Sequence, residues 1–226
     1  MAVALKKLKL SLLLSLFFLV SASSFAKVPP TCRRIECPSY DVIHAGDGYE
    51  IRRYNSTVWA SPPPFLDTSL VEATRTGFRR LFDYIQGKND YNQKIEMTAP
   101  VVTEVAPSDG PSSESLFVVS FYVPRKNQVN PPPASGIVVG RVKPVYAAVR
   151  KFGEFVRDNN VGEQVAALKA SIAGTEWSSA IEKSQRGVHG SVYCVAQYND
   201  PFEFDDRVNE IWFLFDVENG RHFVES

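Results

Sequence analysis

Four residues of one predicted helix combine apolar and aromatic side chains with a fixed positive charge. They are Val71, Arg75, Phe78 and Phe82, at spacings i, i+4, i+7 and i+11, so they form one stripe. Aromatic rings stack on flat apolar ligands, and a guanidinium holds a carboxylate through two hydrogen bonds. The stripe therefore predicts a site for a planar ligand that carries carboxylates. The alternative is that Arg75 extends to water and the rings belong to an ordinary core.

Catalytic motifs are absent from the sequence. There is no G-x-S-x-G elbow, phosphate-binding Walker loop, H-E-x-x-H pair or dinucleotide fingerprint. Glu210 lies beside an apolar run, where a carboxylate can act as an acid or base. We expect it instead to pair with Arg207 or Arg52 and to serve the fold. The sequence thus predicts a binding protein that is not an enzyme.

The N-terminus has the pattern of a secretory signal peptide over residues 1–26. Lys6, Lys7 and Lys9 precede an apolar run over residues 10–20, and small residues at Ser24 and Ala26 follow. The run is shorter than the roughly 20 residues that a membrane span needs. We expect a mature chain that begins near residue 27, has no transmembrane span, and is extracellular or sorted to a vacuole.

The signal peptide implies an oxidising compartment, in which cysteines can form disulfides. The sequence has three cysteines. Cys32 and Cys37 lie in a short N-terminal segment, residues 27–39, and a local disulfide is the first expectation. Pairing of either one with Cys194 is the second expectation, although Cys194 lies in an apolar strand pattern that suits a buried thiol. Asn55 begins the N-x-S/T glycosylation sequon.

Charge and composition restrict the partners. The chain has 226 residues, of which 44% are hydrophobic, with 25 basic and 25 acidic side chains. This is enough apolar material for one core, and there is no basic surplus of the kind that a nucleic-acid-binding protein uses to contact phosphates. We expect a monomer with one domain, residues 40–226, that does not bind nucleic acid.

The order of predicted elements occurs twice. Two strands (about 40–45 and 49–60), a helix (68–85) and two strands (93–105 and 115–123) form one half, over residues 40–125. Strands (137–142 and 145–152), a helix (161–173) and strands (191–198 and 208–217) form the other, over residues 136–218. This order favours an α+β fold in which two strand–strand–helix–strand–strand halves join their antiparallel sheets into one curved or barrel-like sheet.

Several segments resemble the SOUL/heme-binding protein family. They are the sequences YEIRRY at 49–54, YIQGKN at 84–89, KIEMTAPV at 94–101, GP at 110–111, SES at 113–115 and NEIW at 209–212, together with Trp59. The likeness is greatest to the heme-binding protein 2 branch, in a plant-type version with a signal peptide. It implies a distorted β-barrel flanked by helices, and heme or another porphyrin as a bound ligand rather than a catalytic cofactor.

The resemblance also assigns residues to a ligand cleft. The family's cleft arginine matches Arg75, and two apolar cleft positions match Phe78 and Phe82. Two further basic positions of the family fall on Asp83 and Glu203, and an axial histidine of one member falls on Arg53.

Histidine could still ligate heme iron elsewhere in the chain, at His44, His189 or His222. We take His44 as the first candidate. The predicted function is a tetrapyrrole carrier or scavenger. The alternative, favoured by the reversed charges at Asp83 and Glu203, is a secreted protein-interaction module whose porphyrin binding is weak or vestigial.

Overall fold

A computed structural model describes residues 28–107, 114–185 and 192–216, which hold ten β-strands and three α-helices. The strands are β1 (Tyr40–Gly46), β2 (Tyr49–Tyr54), β3 (Thr57–Ser61), β4 (Phe65–Asp67), β5 (Val101–Pro107), β6 (Ser115–Tyr122), β7 (Val138–Val142), β8 (Val145–Phe152), β9 (Tyr193–Gln197) and β10 (Asn209–Phe215). The helices are α1 (Leu70–Ile85), α2 (Asp158–Ile172) and α3 (Ser178–Gln185). The predicted signal peptide, His189, His222 and the family segment at 110–113 lie outside the described residues.

All strands belong to one antiparallel sheet, in the order β1-β2-β8-β10-β9-β5-β6-β3-β7, with β4 also pairing with β6. The two halves exchange strands: β2 of the first half pairs with β8 of the second, and β7 of the second pairs with β3 of the first. The duplicated α+β architecture expected from the element order is confirmed.

Two short connections make the sheet curl. Only residues 55–56 separate β2 from β3, and only residues 143–144 separate β7 from β8, although these strands lie near opposite ends of the strand order. So short a link brings the two ends of the sheet together. The result is a barrel-like sheet whose edges, β1 and β7, are not paired with each other.

Helix α1 packs on the outer face of the curled sheet. Ser69 caps it, its hydroxyl accepting a hydrogen bond from the Glu72 amide at 3.1 Å, and the chain leaves the helix at Gly87, where φ is +107°. Gly77 lets the helix approach β6, because a Cβ atom there would lie 2.4 Å from Val119 Cβ. The stripe that contains Gly77 and Leu81 is thereby buried, and the helix's position on the sheet is set.

Helices α2 and α3 cover the other half of the same face. The sequence pattern predicted that α2 begins at residue 161. Instead it begins at Asp158, and the Asn160 side chain accepts a hydrogen bond from the Arg157 amide at 2.9 Å. No sequence pattern had predicted α3, which has only eight residues and is fixed by the burial of Ile181 in the core.

Two predicted strands were wrong in extent. Residues 49–60 do not form one strand, because the chain passes from one end of the sheet to the other at residues 55–56. Residues 93–100 are irregular, and β5 begins only at Val101. Pro100 therefore lies immediately before the strand. Within the described ranges, no helix is both long and apolar enough to cross a membrane.

Candidate functional site

The outward stripe of α1 stays open to solvent. Val71 and Phe78 are half-buried, Arg75 is exposed, and the Phe82 side chain is 42% exposed. The Phe78 and Phe82 rings lie nearly parallel, with centroids 5.7 Å apart and an interplanar angle of 16°. The structure therefore brings the four predicted site residues onto one accessible surface and presents two aligned aromatic rings.

Two adjoining depressions meet at this stripe, and we call them together the α1 groove. One has a volume of about 290 Å³ and includes Phe78, Phe82 and Met97. The other has a volume of about 330 Å³ and includes Val71, Arg75 and Phe78. Their shared wall consists of Phe78, Val101, Gln197, Asn199 and Pro201. A groove of this size is within the range of small-molecule sites, about 300–1,000 Å³.

The N-terminal segment forms part of the groove wall. Thr31, Arg34 and Ile35 line the depression that contains Phe82. A disulfide joins Cys32 to Cys37, with Cα atoms 5.5 Å apart, and Cys194 is a buried free thiol. The Glu36 carbonyl accepts a hydrogen bond from the Ala99 amide at 3.0 Å, which ties the segment to the sheet. In the sequence, the two cysteines were the only features that singled out this segment, and its place in the groove wall depends on the tertiary fold.

Three arginines surround the groove. Arg75 pairs with Glu72 at 3.0 Å, and both side chains are more than half exposed. Arg34 pairs with Glu203, and the hydrogen bond from Arg34 lowers the pKa of that carboxyl. Arg207 lies 4.1 Å from the centre of the Phe155 ring, which stands beside the groove. The reversed charge at Glu203 is thus accompanied by a new cation from the N-terminal segment.

The remaining residues of the sequence argument lie elsewhere. His44 contacts the rings of Tyr49 and Trp177, with centroids 5.8 and 6.2 Å away, and does not line the α1 groove. Arg53 pairs with Asp41 on the exposed surface. Asp83 pairs with Lys88, and neither lines the groove. Asn55, the sequon residue, is exposed between β2 and β3.

The groove offers few groups that could bind iron. In the part of the chain that the structure describes, no three His, Cys, Asp or Glu side chains are clustered so as to hold a metal ion. Met97 is half-buried in the groove, and a thioether is an iron ligand in some heme proteins. What the groove supplies in quantity is aromatic surface and guanidinium groups.

A buried ionic network supports the groove from the inner face of the sheet. The Glu210 carboxylate accepts hydrogen bonds from Arg52 at 2.8 and 3.0 Å, which decides between the two arginines expected from the sequence. It also accepts bonds from the Tyr198 hydroxyl at 2.9 Å and the Trp212 indole at 2.7 Å. Tyr198 also lines the α1 groove, so the network holds part of its wall in place.

Comparison with known proteins gives consistent matches. The family model described as SOUL heme-binding protein matches residues 35–214. Heme-binding protein 2 of Mus musculus is 35% identical over 187 residues, which cover 80% of this chain and 86% of the mouse protein. Its Homo sapiens counterpart is 37% identical over 169 residues, covering 74% and 77%. Heme-binding protein 1 of Sus scrofa is 25% identical over 186 residues, covering 80% and 93%.

Proposed function

Because the chain belongs to the SOUL heme-binding protein family, we propose that it binds heme or a related tetrapyrrole in the α1 groove without acting as an enzyme. The observation that carries this proposal is the pair of aligned rings, Phe78 and Phe82, exposed in a groove beside Arg75. One face of the macrocycle would cover these rings. Burial of apolar surface contributes about 25 cal/mol per Å², so a large flat ligand gains most of its affinity there.

Arg75 is available to a ligand carboxylate. Its present partner, Glu72, is exposed, and an exposed ion pair of this kind is worth only about 0–1 kcal/mol. A charge-assisted hydrogen bond to a propionate in the partly desolvated groove is worth about 1.5–3 kcal/mol. Exchange of Glu72 for a propionate is therefore favourable, while Arg75 alone would not give tight binding.

The test is a titration of the mature chain with hemin, followed at the Soret band, and with metal-free protoporphyrin. We expect one saturable site of similar affinity for both, because none of the residues that the structure describes in the groove lining is a histidine. Arg75→Ala should weaken binding of both by about tenfold. Arg79→Ala is the matched control, since Arg79 is also exposed on α1 but does not line the groove.

Two further variants test how iron is held. His44→Ala should leave both affinities unchanged, because the imidazole packs against Trp177 and does not line the groove. If His44→Ala weakens hemin binding more than Arg75→Ala does, the groove is misplaced and iron ligation dominates. Met97→Leu should change the Soret position only if the thioether binds iron, and it should leave protoporphyrin binding as it was.

We further propose that the protein is a secreted, monomeric carrier or scavenger. The Cys32–Cys37 disulfide supports an oxidising compartment, extracellular or vacuolar. A mass measurement of the purified secreted protein tests cleavage after residue 26, the disulfide and a glycan on Asn55 together. Light scattering of the same sample at micromolar concentration should give the mass of one copy.

A protein-interaction module is the second candidate, and one observation favours it. Phe202 and Phe204, beside the groove in the loop before β10, are 83% and 71% exposed. Such side chains are common at protein interfaces. If hemin and an unrelated apolar dye give equal, non-saturating signals, the tetrapyrrole proposal fails and this second function takes its place.

A further inference from the structure

A second cavity lies on the inner face of the curled sheet, opposite the face that carries α1. Its volume is about 360 Å³, and its walls come from eight strands: β2, β3, β5, β6, β7, β8, β9 and β10. The two faces alternate along β5. The Thr103 hydroxyl contacts Thr74 of α1 at 2.8 Å, and the next residue, Glu104, lines the inner cavity. This cavity is therefore separate from the α1 groove, and what it binds is independent of the proposed function.

The cavity wall is mainly apolar and aromatic. Trp59, Trp212 and Tyr54 provide three aromatic side chains. The aliphatic and thiol groups around them are Val102, Val118, Val138, Val142, Val145, Cys194 and Leu214. The indole of Trp212 donates to Glu210 and that of Trp59 to the Thr57 hydroxyl at 2.9 Å, so both rings are held by their nitrogen atoms. Rigid, oriented rings of this kind suit a ligand that is itself apolar.

Glu104 is the exception in this wall. Its strand neighbours are Val118 on β6 and Cys194 on β9, and burial raises the pKa of its carboxyl. In the described part of the chain, its carboxylate makes no hydrogen bond or ion pair. By contrast, Glu50 on the same inner face is paired with Arg52 at 2.8 Å and with Lys151 at 2.9 Å. A half-buried carboxylate beside apolar neighbours loses part of its hydration without gaining a hydrogen bond or ion pair among the described residues, so Glu104 does not stabilise the fold.

Neither of the two basic residues that line the cavity forms an ion pair with Glu104. Arg141 donates to the Gln128 carbonyl at 3.3 Å, and its strand partner Val58 is buried in the core beneath α1, on the outer face. Lys143 is exposed in the link after β7. The cavity therefore combines an apolar, aromatic interior with one carboxylate that forms no ion pair among the described residues.

We propose that this cavity binds a small organic cation with apolar substituents, its charge facing Glu104 and its substituents packed against Trp59 and Trp212. The face of an indole attracts a cation within about 6 Å, more strongly than the ring of Tyr or Phe. A carboxylate in a partly desolvated cavity adds an attraction several times stronger than in water. The ligand's apolar groups would cover the surrounding valine and leucine side chains.

The test compares two ions of nearly equal size and shape but opposite charge, tetraphenylphosphonium and tetraphenylborate. Calorimetric titration of the mature chain should give one saturable site for the cation and binding at least tenfold weaker for the anion. Glu104→Gln should weaken binding of the cation about tenfold and leave the anion unchanged or slightly tighter. Glu163→Gln, an exposed carboxylate on α2, is the matched control and should change neither.

Three results would overturn the proposal. Equal binding of both ions would mean that the cavity selects for apolar surface alone. Displacement of the cation by saturating protoporphyrin, or its loss in Phe82→Ala, would place it in the α1 groove. Absence of saturable binding at millimolar cation would leave the cavity without this ligand. Because Glu104→Gln removes a half-buried charge that forms no ion pair among the described residues, its urea-unfolding midpoint at pH 7 should not fall, which verifies that the variant is folded.

Discussion

Replacing Glu210 by glutamine tests whether the buried ionic network is needed for stability. Glu210 and Arg52 are both fully buried, and the carboxylate accepts four hydrogen bonds. Removal of one partner from a buried ion pair destabilises a protein by about 3–5 kcal/mol, because the other charge stays buried without a counter-ion. Glu50 remains 2.8 Å from Arg52 and offsets part of this loss. We therefore expect a loss near the lower limit, about 3 kcal/mol.

The assay is urea unfolding followed by tryptophan fluorescence, in which Trp212 reports directly on the network. Stability of a domain is about 5–15 kcal/mol, so the expected loss shifts the midpoint clearly. Asp41→Asn is the matched control. It removes the partner of Arg53, the next residue on β2, from an ion pair whose side chains are 54% and 47% exposed. The control should leave the midpoint nearly unchanged, because an ion pair this exposed contributes little to stability.

A double variant separates lost charge from lost packing. Arg52→Met with Glu210→Gln removes both charges, and buried ion pairs replaced by apolar groups are often neutral in stability. It should regain more than half of the loss seen in Glu210→Gln. The opposite result is that Glu210→Gln lowers the free energy of unfolding by less than about 1 kcal/mol, no more than Asp41→Asn does. That result would refute the reasoning that the Arg52–Glu210 pair is excluded from water.

Three further outcomes follow from the same structure. Gly77→Ala should destabilise the protein by about 1–3 kcal/mol in urea unfolding, because the new methyl group would lie against Val119 on β6. Replacing Cys32 and Cys37 by serine should weaken protoporphyrin binding several-fold in fluorescence titrations, because the segment between them forms a groove wall; unchanged affinity would show that this wall is not used. Burial would raise the pKa of Glu50, but its cationic partners Arg52 and Lys151 outweigh this and lower it. The ionised Glu50 carboxylate therefore stabilises the fold fully above about pH 4.5, and this stabilisation is lost as the pH falls through its lowered folded-state pKa. Glu50→Gln should accordingly reduce the difference between the urea midpoints at pH 7 and pH 3.

Local patterns predicted the helix that carries the site. The stripe with Arg75 and the Ser69 cap depend on residues three or four apart, so they can be identified in the sequence without knowledge of the fold. The same holds for the duplicated order of elements, which follows from turns and strand periodicity. The predicted bounds of the strands were less accurate where the tertiary fold overrides local preference. At residues 55–56, the chain passes from β2 near one end of the sheet to β3 near the other.

Contacts between distant residues were decided only by the tertiary structure. Arg34 meets Glu203 across 169 positions, and Arg52 meets Glu210 across 158, so no local pattern could choose these partners. The sequence by itself determined that a helix would present aromatic rings beside a guanidinium, because helical spacing alone places them together. The fold determined the walls around those rings and placed Glu104 in a second cavity with no ion pair among the described residues, because strand pairing selects which distant side chains share a face.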